Sequence, residues 1–161
     1  LAMVCVIIMI VAATGLSSRS GPAAKTTSVA ETKPSASANG DDTELARDAS
    51  GKFRIGAIVN GEDMQFLLDT GADTIALGVD EAERLGIELD RESFEPIAQT
   101  ASGTGNGAHI KINSIEIAGQ EFRDVDAIVI DGLNENLLGQ SLLRKLGKVE
   151  MHGDKMVIRR S

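Results

Sequence analysis

FLLDTGADTIAL, at residues 66–77, sets Asp69, Thr70, Gly71 and Asp73 between two apolar runs. A solvated turn explains Asp-Thr-Gly taken alone, but a turn seldom needs Leu67 and Leu68 directly before it and Ile75, Ala76 and Leu77 directly after. A strand that carries two leucines into a core and ends in a carboxylate holds Asp69 in a partly dry, fixed position. Gly71 lets the backbone bend sharply behind it, and the Thr70 hydroxyl can tie the loop down. A phosphatase-type aspartate nucleophile fits less well, because it wants a second Asp two residues on, where Gly71 stands.

The surrounding sequence reads as short strands. Residues 52–59 and 64–68 form a hairpin around Asn60-Gly61, a dipeptide that accepts positive φ, so Asp69 follows the end of the second strand. Residues 74–78 read as another strand, and VDEAERLGI at 79–87 has helical spacing with Gly86 as its stop. Ala108, Ile110 and Ile112 alternate with His109 and Lys111, and Ile115 and Ile117 continue to a turn at Gly119-Gln120. Residues 125–130 form a strand, 141–146 a short helix, and 148–152 pair with 156–159 across Gly153-Asp154. Many short strands with turn residues between them favour a closed or sandwiched β fold.

Two further stretches bear on the site. SGTGNG at 102–107 is glycine-rich, but no Gly-Lys-Ser/Thr follows and the next residues alternate as a strand, so a phosphate loop is disfavoured. It reads as a mobile hairpin tip that could act as a lid, with an ordinary flexible loop as the alternative. NLLGQSLLRKL at 136–146 puts Leu137, Leu138 and Gly139 before a helix; taken alone it is a buried strand and a packed helix.

Composition excludes other chemistries. The chain carries 16 Lys and Arg against 24 Asp and Glu, a formal charge of -8, and its basic residues do not cluster, which argues against a nucleic-acid surface. Cys5 is the only cysteine, and His109 and His152 lack the close spacing of a zinc motif, so neither a disulfide framework nor a metal site is expected.

Upstream, residues 1–16 are uncharged and strongly apolar and end at SSRS. They are expected to meet a membrane, as an anchor truncated at its start or as a cleaved signal segment, since a spanning helix takes about 20 residues. Residues 17–50 are rich in Ser, Ala, Thr, Gly, Lys and Asp and poor in large apolar side chains. They are expected to form a disordered tether, with room for a short helix at 43–47, leading to a domain at 51–161.

Taken together, the order Leu-Leu-Asp-Thr-Gly-Ala, a glycine-rich flap, then Leu-Leu-Gly before a helix resembles the retroviral-type, or retropepsin-like, aspartic proteases. It is most similar to their bacterial membrane-anchored members, and the resemblance covers residues 52–160. It implies an all-β fold, a closed barrel or sandwich with one or two short helices, assembled as a two-fold symmetric homodimer. Asp69 would be catalytic, Thr70 would interlock with its twin and Gly71 would shape the loop, with Leu137, Leu138 and Gly139 supporting it. Ala72 and Asp73, with Ser102, Gly103, Thr104 and Gly105 of the flap, would contact substrate. No metal or cofactor is implied.

An aspartic protease needs two carboxylates sharing a proton, and this chain has one Asp-Thr-Gly. A homodimer would supply the second and enclose a cleft for an extended polypeptide. The expected function is that of a membrane-anchored aspartic endopeptidase; the alternatives are a non-catalytic dimerisation or peptide-binding module of the same fold, and an acidic envelope adaptor in which the motif is accidental. Arg19, Lys25 and Lys33 after the apolar segment hint at a cytoplasmic domain, whereas the subgroup resemblance places the domain outside the cytoplasm, at a bacterial inner membrane. The chain departs from the retroviral pattern in having no Tyr or Trp, which leaves Leu, Ile, Val and Phe to line a cleft.

Overall fold

The computed structural model describes residues 37–39, 42–100 and 103–160. Along the chain run β1 (Ser37–Asn39), β2 (Asp42–Ala46), β3 (Arg54–Val59), β4 (Glu62–Leu68), β5 (Ile75–Gly78), α1 (Val79–Arg84), β6 (Glu95–Thr100), β7 (Gly103–Ile117), β8 (Gln120–Ile130), β9 (Leu137–Leu138), α2 (Gln140–Leu146), β10 (Lys148–His152) and β11 (Lys155–Arg159). A single 3-10 turn at Arg91–Ser93, capped by the Asp90 side chain, precedes β6.

Turn chemistry and alternation set these elements. Asn60 and Gly61 both take positive φ, 49° and 91°, and reverse the chain between β3 and β4. Ile55, Ala57 and Val59 of β3 alternate inward with Met64 and Phe66 of β4. Gly86, at φ 71°, turns the chain out of α1 as its position suggests. Gly153, at φ 60°, closes the β10–β11 hairpin.

The larger sheet runs β3-β4-β9-β5-β8-β7-β6, and β3 also pairs with the far end of β7 through Ala57–Ile117 and Val59–Ile115. That extra pairing joins β3, β4, β9, β5, β8 and β7 into a ring, so the barrel is closed, with β6 added to the outer half of β7. Val59, Phe66, Ile75, Leu77, Ile112, Ile115 and Leu138 fill the interior together with Leu142 and Leu146 of α2. A second sheet, β1-β2-β11-β10, joins the same core through Leu45, Met156 and Ile158.

Two sequence expectations need correction. Residues 43–47, read as a short helix in a tether, are extended: β2 lies antiparallel to β11, with Leu45 opposite Met156 and Thr43 opposite Ile158. Leu45 and Thr43 are buried there, so this stretch belongs to the domain and its boundary lies upstream of residue 51. The glycine-rich run at 102–107 belongs to a hairpin, as read from the sequence, and over its described length it is the strand that follows the turn and not an ordinary loop. Gly103, Thr104 and Gly105 form the start of β7 and pair with Thr100, Gln99 and Ala98 of β6; Ser102, the remaining flap residue, lies outside the described residues. The membrane segment at 1–16 and the tether at 17–36 also lie outside them. Among the described residues no helix is long and apolar enough to cross a membrane.

Candidate active site

Asp69 is the first residue beyond β4, and the segment after β8 holds it in place. β9 runs parallel to β4, Leu137 beside Leu67 and Leu138 beside Leu68, and meets β5 on its other edge at Ala76. The two-residue strand therefore sits between the strands that enter and leave the Asp-Thr-Gly loop. Its backbone then follows the loop closely. Leu67 N–H donates to the Asn136 carbonyl (2.8 Å) and Asp69 N–H to that of Leu138 (3.1 Å). Gln140 N–H donates to the Ala72 carbonyl and Ser141 N–H to that of Asp73, both at 2.8 Å. The Gln140 side-chain amide reaches the Thr70 carbonyl at 2.5 Å.

Gly139 permits this fit. A Cβ there would collide with the Thr74 carbonyl oxygen and lie 2.7 Å from that of Ala72. The requirement is for close backbone approach, since Gly139 itself has an extended conformation at φ -87°. Within the loop, Gly71 N–H donates to Asp69 Oδ1 at 2.8 Å, which fixes one carboxylate oxygen, and the Thr74 hydroxyl donates to the Asp126 carbonyl at 3.0 Å. Asp69 is half-buried; Thr70, Gly71 and Asp73 are exposed; Ala72 is buried.

Of the residues expected from sequence, the structure brings Asp69, Thr70, Gly71, Ala72 and Asp73 together with Leu137, Leu138 and Gly139. The flap hairpin reaches them through its base. Ala98 of β6 shares one apolar cluster with Ala72, Ala76, Ile128, Ile130 and Leu137, and Leu67, Ile97 and Leu133 pack against it. Gly103 and Thr104 lie farther along that hairpin, where Thr104 Oγ1 accepts from the Gln99 amide at 3.3 Å. An open groove of about 550 Å³ lies elsewhere, lined by Thr43, Gly56, Ile58, Gln65 and Glu116 among others and by no residue of the Asp69 loop.

Other contributors were not foreseen. Asn136 and Gln140, which flank Leu-Leu-Gly, support the loop through both backbone and side chain; Asn136 Oδ1 also accepts from Gly78 N–H at 3.3 Å. Polar residues bracketing an apolar run were the signal that could have found them. A charged group joins the same segment to the start of β3. Glu135 takes hydrogen bonds from Lys52 Nζ at 2.9 Å and from the Arg54 guanidinium. Arg54 Nε also donates to Asp48 at 2.8 Å.

Burial pushes the Glu135 carboxyl up, but hydrogen bonds from Lys52 and Arg54 outweigh it and hold the group below its usual value. The Ser50 hydroxyl, working against desolvation, and then the Lys52 amide and Arg54 guanidinium hold Asp48 far below the ordinary carboxylate range. Hydrogen bonds to Glu135 and Asp48 raise Arg54 further. Spacings of more than 80 residues hid the Glu135 pairs from sequence reasoning.

The description "gag-polyprotein putative aspartyl protease" belongs to the family model that matches residues 55–145, which take in both the Asp69 loop and its supporting segment. The chain is a retropepsin-like aspartic protease family member. A crystal structure of a retropepsin-like aspartic protease from Rickettsia conorii superposes with TM-score 0.61 and 32% identity, over 74% of this chain and 90% of that one. The protease of EIAV, solved with the inhibitor HBY-793, superposes with TM-score 0.50 and 21% identity over 62% of this chain and 91% of that one, which shows the fold alone. Among curated sequences, the uncharacterized protein RP867 of Rickettsia prowazekii is 35% identical over 115 residues, 71% of this chain and 49% of the relative. An uncharacterized Sinorhizobium protein, encoded in the cobV 5' region, is 32% identical over 117 residues, 71% of this chain and 50% of its own length. This retropepsin-like chain thus spans about half the length of the curated relatives it matches.

Proposed function

We propose that the chain is a homodimeric aspartic endopeptidase, tethered to a membrane by its N-terminal segment, with its domain outside the cytoplasm. The observation that carries the catalytic reading is Asp69, half-buried on a loop held on both sides by backbone hydrogen bonds, and present once per chain. A single fixed carboxylate is half of what peptide hydrolysis by this chemistry needs. In a two-fold pair the Asp69 carboxylates would share one proton, because like charges about 3 Å apart cannot both ionise. The ionised member accepts a proton from water as the water oxygen attacks the scissile carbonyl, and the protonated member donates to the carbonyl oxygen. The tetrahedral gem-diol then returns one hydroxyl proton to the ionised carboxylate while the other carboxyl protonates the amide nitrogen, and the C–N bond breaks to release the amine and the new carboxylic acid, leaving one proton on the pair.

The single Asp-Thr-Gly makes dimerisation a condition of activity, and the tether would favour it by concentrating chains in a plane. Asp69→Asn is expected to abolish cleavage of a peptide library while leaving folding and the sedimenting species unchanged. Cleavage at the wild-type rate by that variant would refute the endopeptidase reading. A wild-type dimer that binds extended peptides without cutting them would instead establish a non-catalytic module. The location is tested separately by a reporter fused after Ser161, and a reporter active only in the cytoplasm would overturn that part.

A further inference from the structure

We infer that Glu135, together with Arg54 and Lys52, positions the catalytic loop through the segment that supports it. The proposal rests on the endopeptidase reading. Residues 136–141 touch the Asp69 loop at almost every step, from Asn136 O on Leu67 N–H to Ser141 N–H on Asp73 O. A strand of only two residues has little pairing of its own to fix its position along β4. Its downstream end is fixed by α2, whose Leu142, Leu143 and Leu146 are buried. Its upstream end is held by Asn136, whose carbonyl and side chain meet Leu67, Gly78 and Gln65, and by Glu135 beside it.

The Glu135 carboxylate is held by Lys52 Nζ at 2.9 Å and by Arg54, both at the entry to β3. That entry is itself tied to the loop, because Phe53 O accepts from Leu68 N–H at 3.0 Å and Arg54 lies opposite Leu67. Arg54, Leu67 and Leu137 therefore form one row across β3, β4 and β9. Arg54 cannot easily swing away, because Asp48 holds its Nε at 2.8 Å while gathering the amides of Ser50 and Lys52 and the Ser50 hydroxyl. Glu135, Lys52 and Arg54 are partly buried, so their hydrogen bonds are screened less than those of a surface pair. The effect is a clamp that sets where β9 lies along β4, and hence where Asp69 N–H finds its acceptor.

A small displacement of a reacting group far from the mutated side chain can cost up to about 100-fold in rate. The test measures kcat, KM, thermal midpoint and sedimentation for wild type, Glu135→Gln, Arg54→Met and Arg54→Lys, with a library-derived peptide as substrate. Glu135→Gln and Arg54→Met are expected to lower kcat about tenfold or more with KM within about twofold, and to remain dimeric. Arg54→Lys, which keeps the charge and reaches one carboxylate at a time, is expected to recover part of the loss. Wild-type kcat in a folded Glu135→Gln or Arg54→Met dimer overturns the proposal, as does a loss that follows dimer dissociation. Should Arg54→Met not fold, Glu135→Gln decides, since it removes the other end of the same pair without changing shape. An inactive wild type defeats the endopeptidase reading first and is distinguished from failure of this one.

Discussion

Inside the barrel, Phe66, Ile75, Leu77, Ile112, Ile115, Leu138, Leu142 and Leu146 interdigitate as large side chains. The smaller cluster beside the Asp69 loop contains three alanines, Ala72, Ala76 and Ala98, with Ile128, Ile130 and Leu137. Glycines gather on that side as well. A Cβ at Gly139 would strike the Thr74 carbonyl, one at Gly78 the Leu133 carbonyl, and one at Gly107 the Val129 carbonyl and Ile97 Cδ1. One region is held together by side chains and the other by backbones pressed against each other. Side-chain packing supplies stability in bulk, whereas backbone contact fixes a few atoms in place; the fold separates the two tasks.

That contrast can be broken by substitution. Phe66→Ala, in the interior at 0% exposure, should cost about 3–5 kcal/mol, read from urea unfolding, and lower activity only through the unfolded fraction. Gly139→Ala should cost less stability, about 1–3 kcal/mol as for overpacking, yet lower kcat of the folded protein far more. If the two variants lose activity in the same proportion to stability, the division of tasks described above is wrong.

The smallest effect sharpens the comparison at its boundary. Glu135 has a lowered pKa, so its pairing stabilises the fold above its unfolded value of about 4.5 and is lost as pH falls through the lower folded value. The difference in urea midpoint between wild type and Glu135→Gln should therefore be present at neutral pH and shrink toward zero on acidification below that value. A difference that stays constant across the range would mean that the ionised carboxylate is not what stabilises this contact.

Much of this was legible in the sequence, for physical reasons. Inward alternation in β3 and β4, the positive-φ dipeptide between them and the polar interruption at Asp69 are local patterns, and local patterns survive into the structure. Leu137-Leu138-Gly139 was legible locally only as a buried strand before a packed helix; its role as support came from the family resemblance, not from the residues themselves. β2 was missed because DTELA is mostly polar; it is extended because β11 offers it an open edge, and Leu45 is drawn inward opposite Met156. β6 was missed for a similar reason: EPIAQT contains Pro96 and has no strong alternation, and its pairing with β7 shifts register between Pro96 and Ala98. Tertiary pairing overrode weak local preference in both cases. The polar supports of the loop, Gln140 and Glu135, act on partners 70 to 83 residues away, beyond any local signal.

The placement of β9 between β4 and β5 also has a consequence in time. Gln140 closes on Thr70 across 70 residues, and contacts of such separation form late, because the entropy of closing a long loop must be overcome before the contact can contribute. On a ribosome the Asp-Thr-Gly segment emerges well before the strand that braces it. The β3–β4 hairpin can assemble early while Asp69 still lacks its Leu138 acceptor, so a nascent or partly folded chain holds an unbraced carboxylate. Order of synthesis alone thus delays the bracing of the Asp69 loop until the segment at 136–141 has been made.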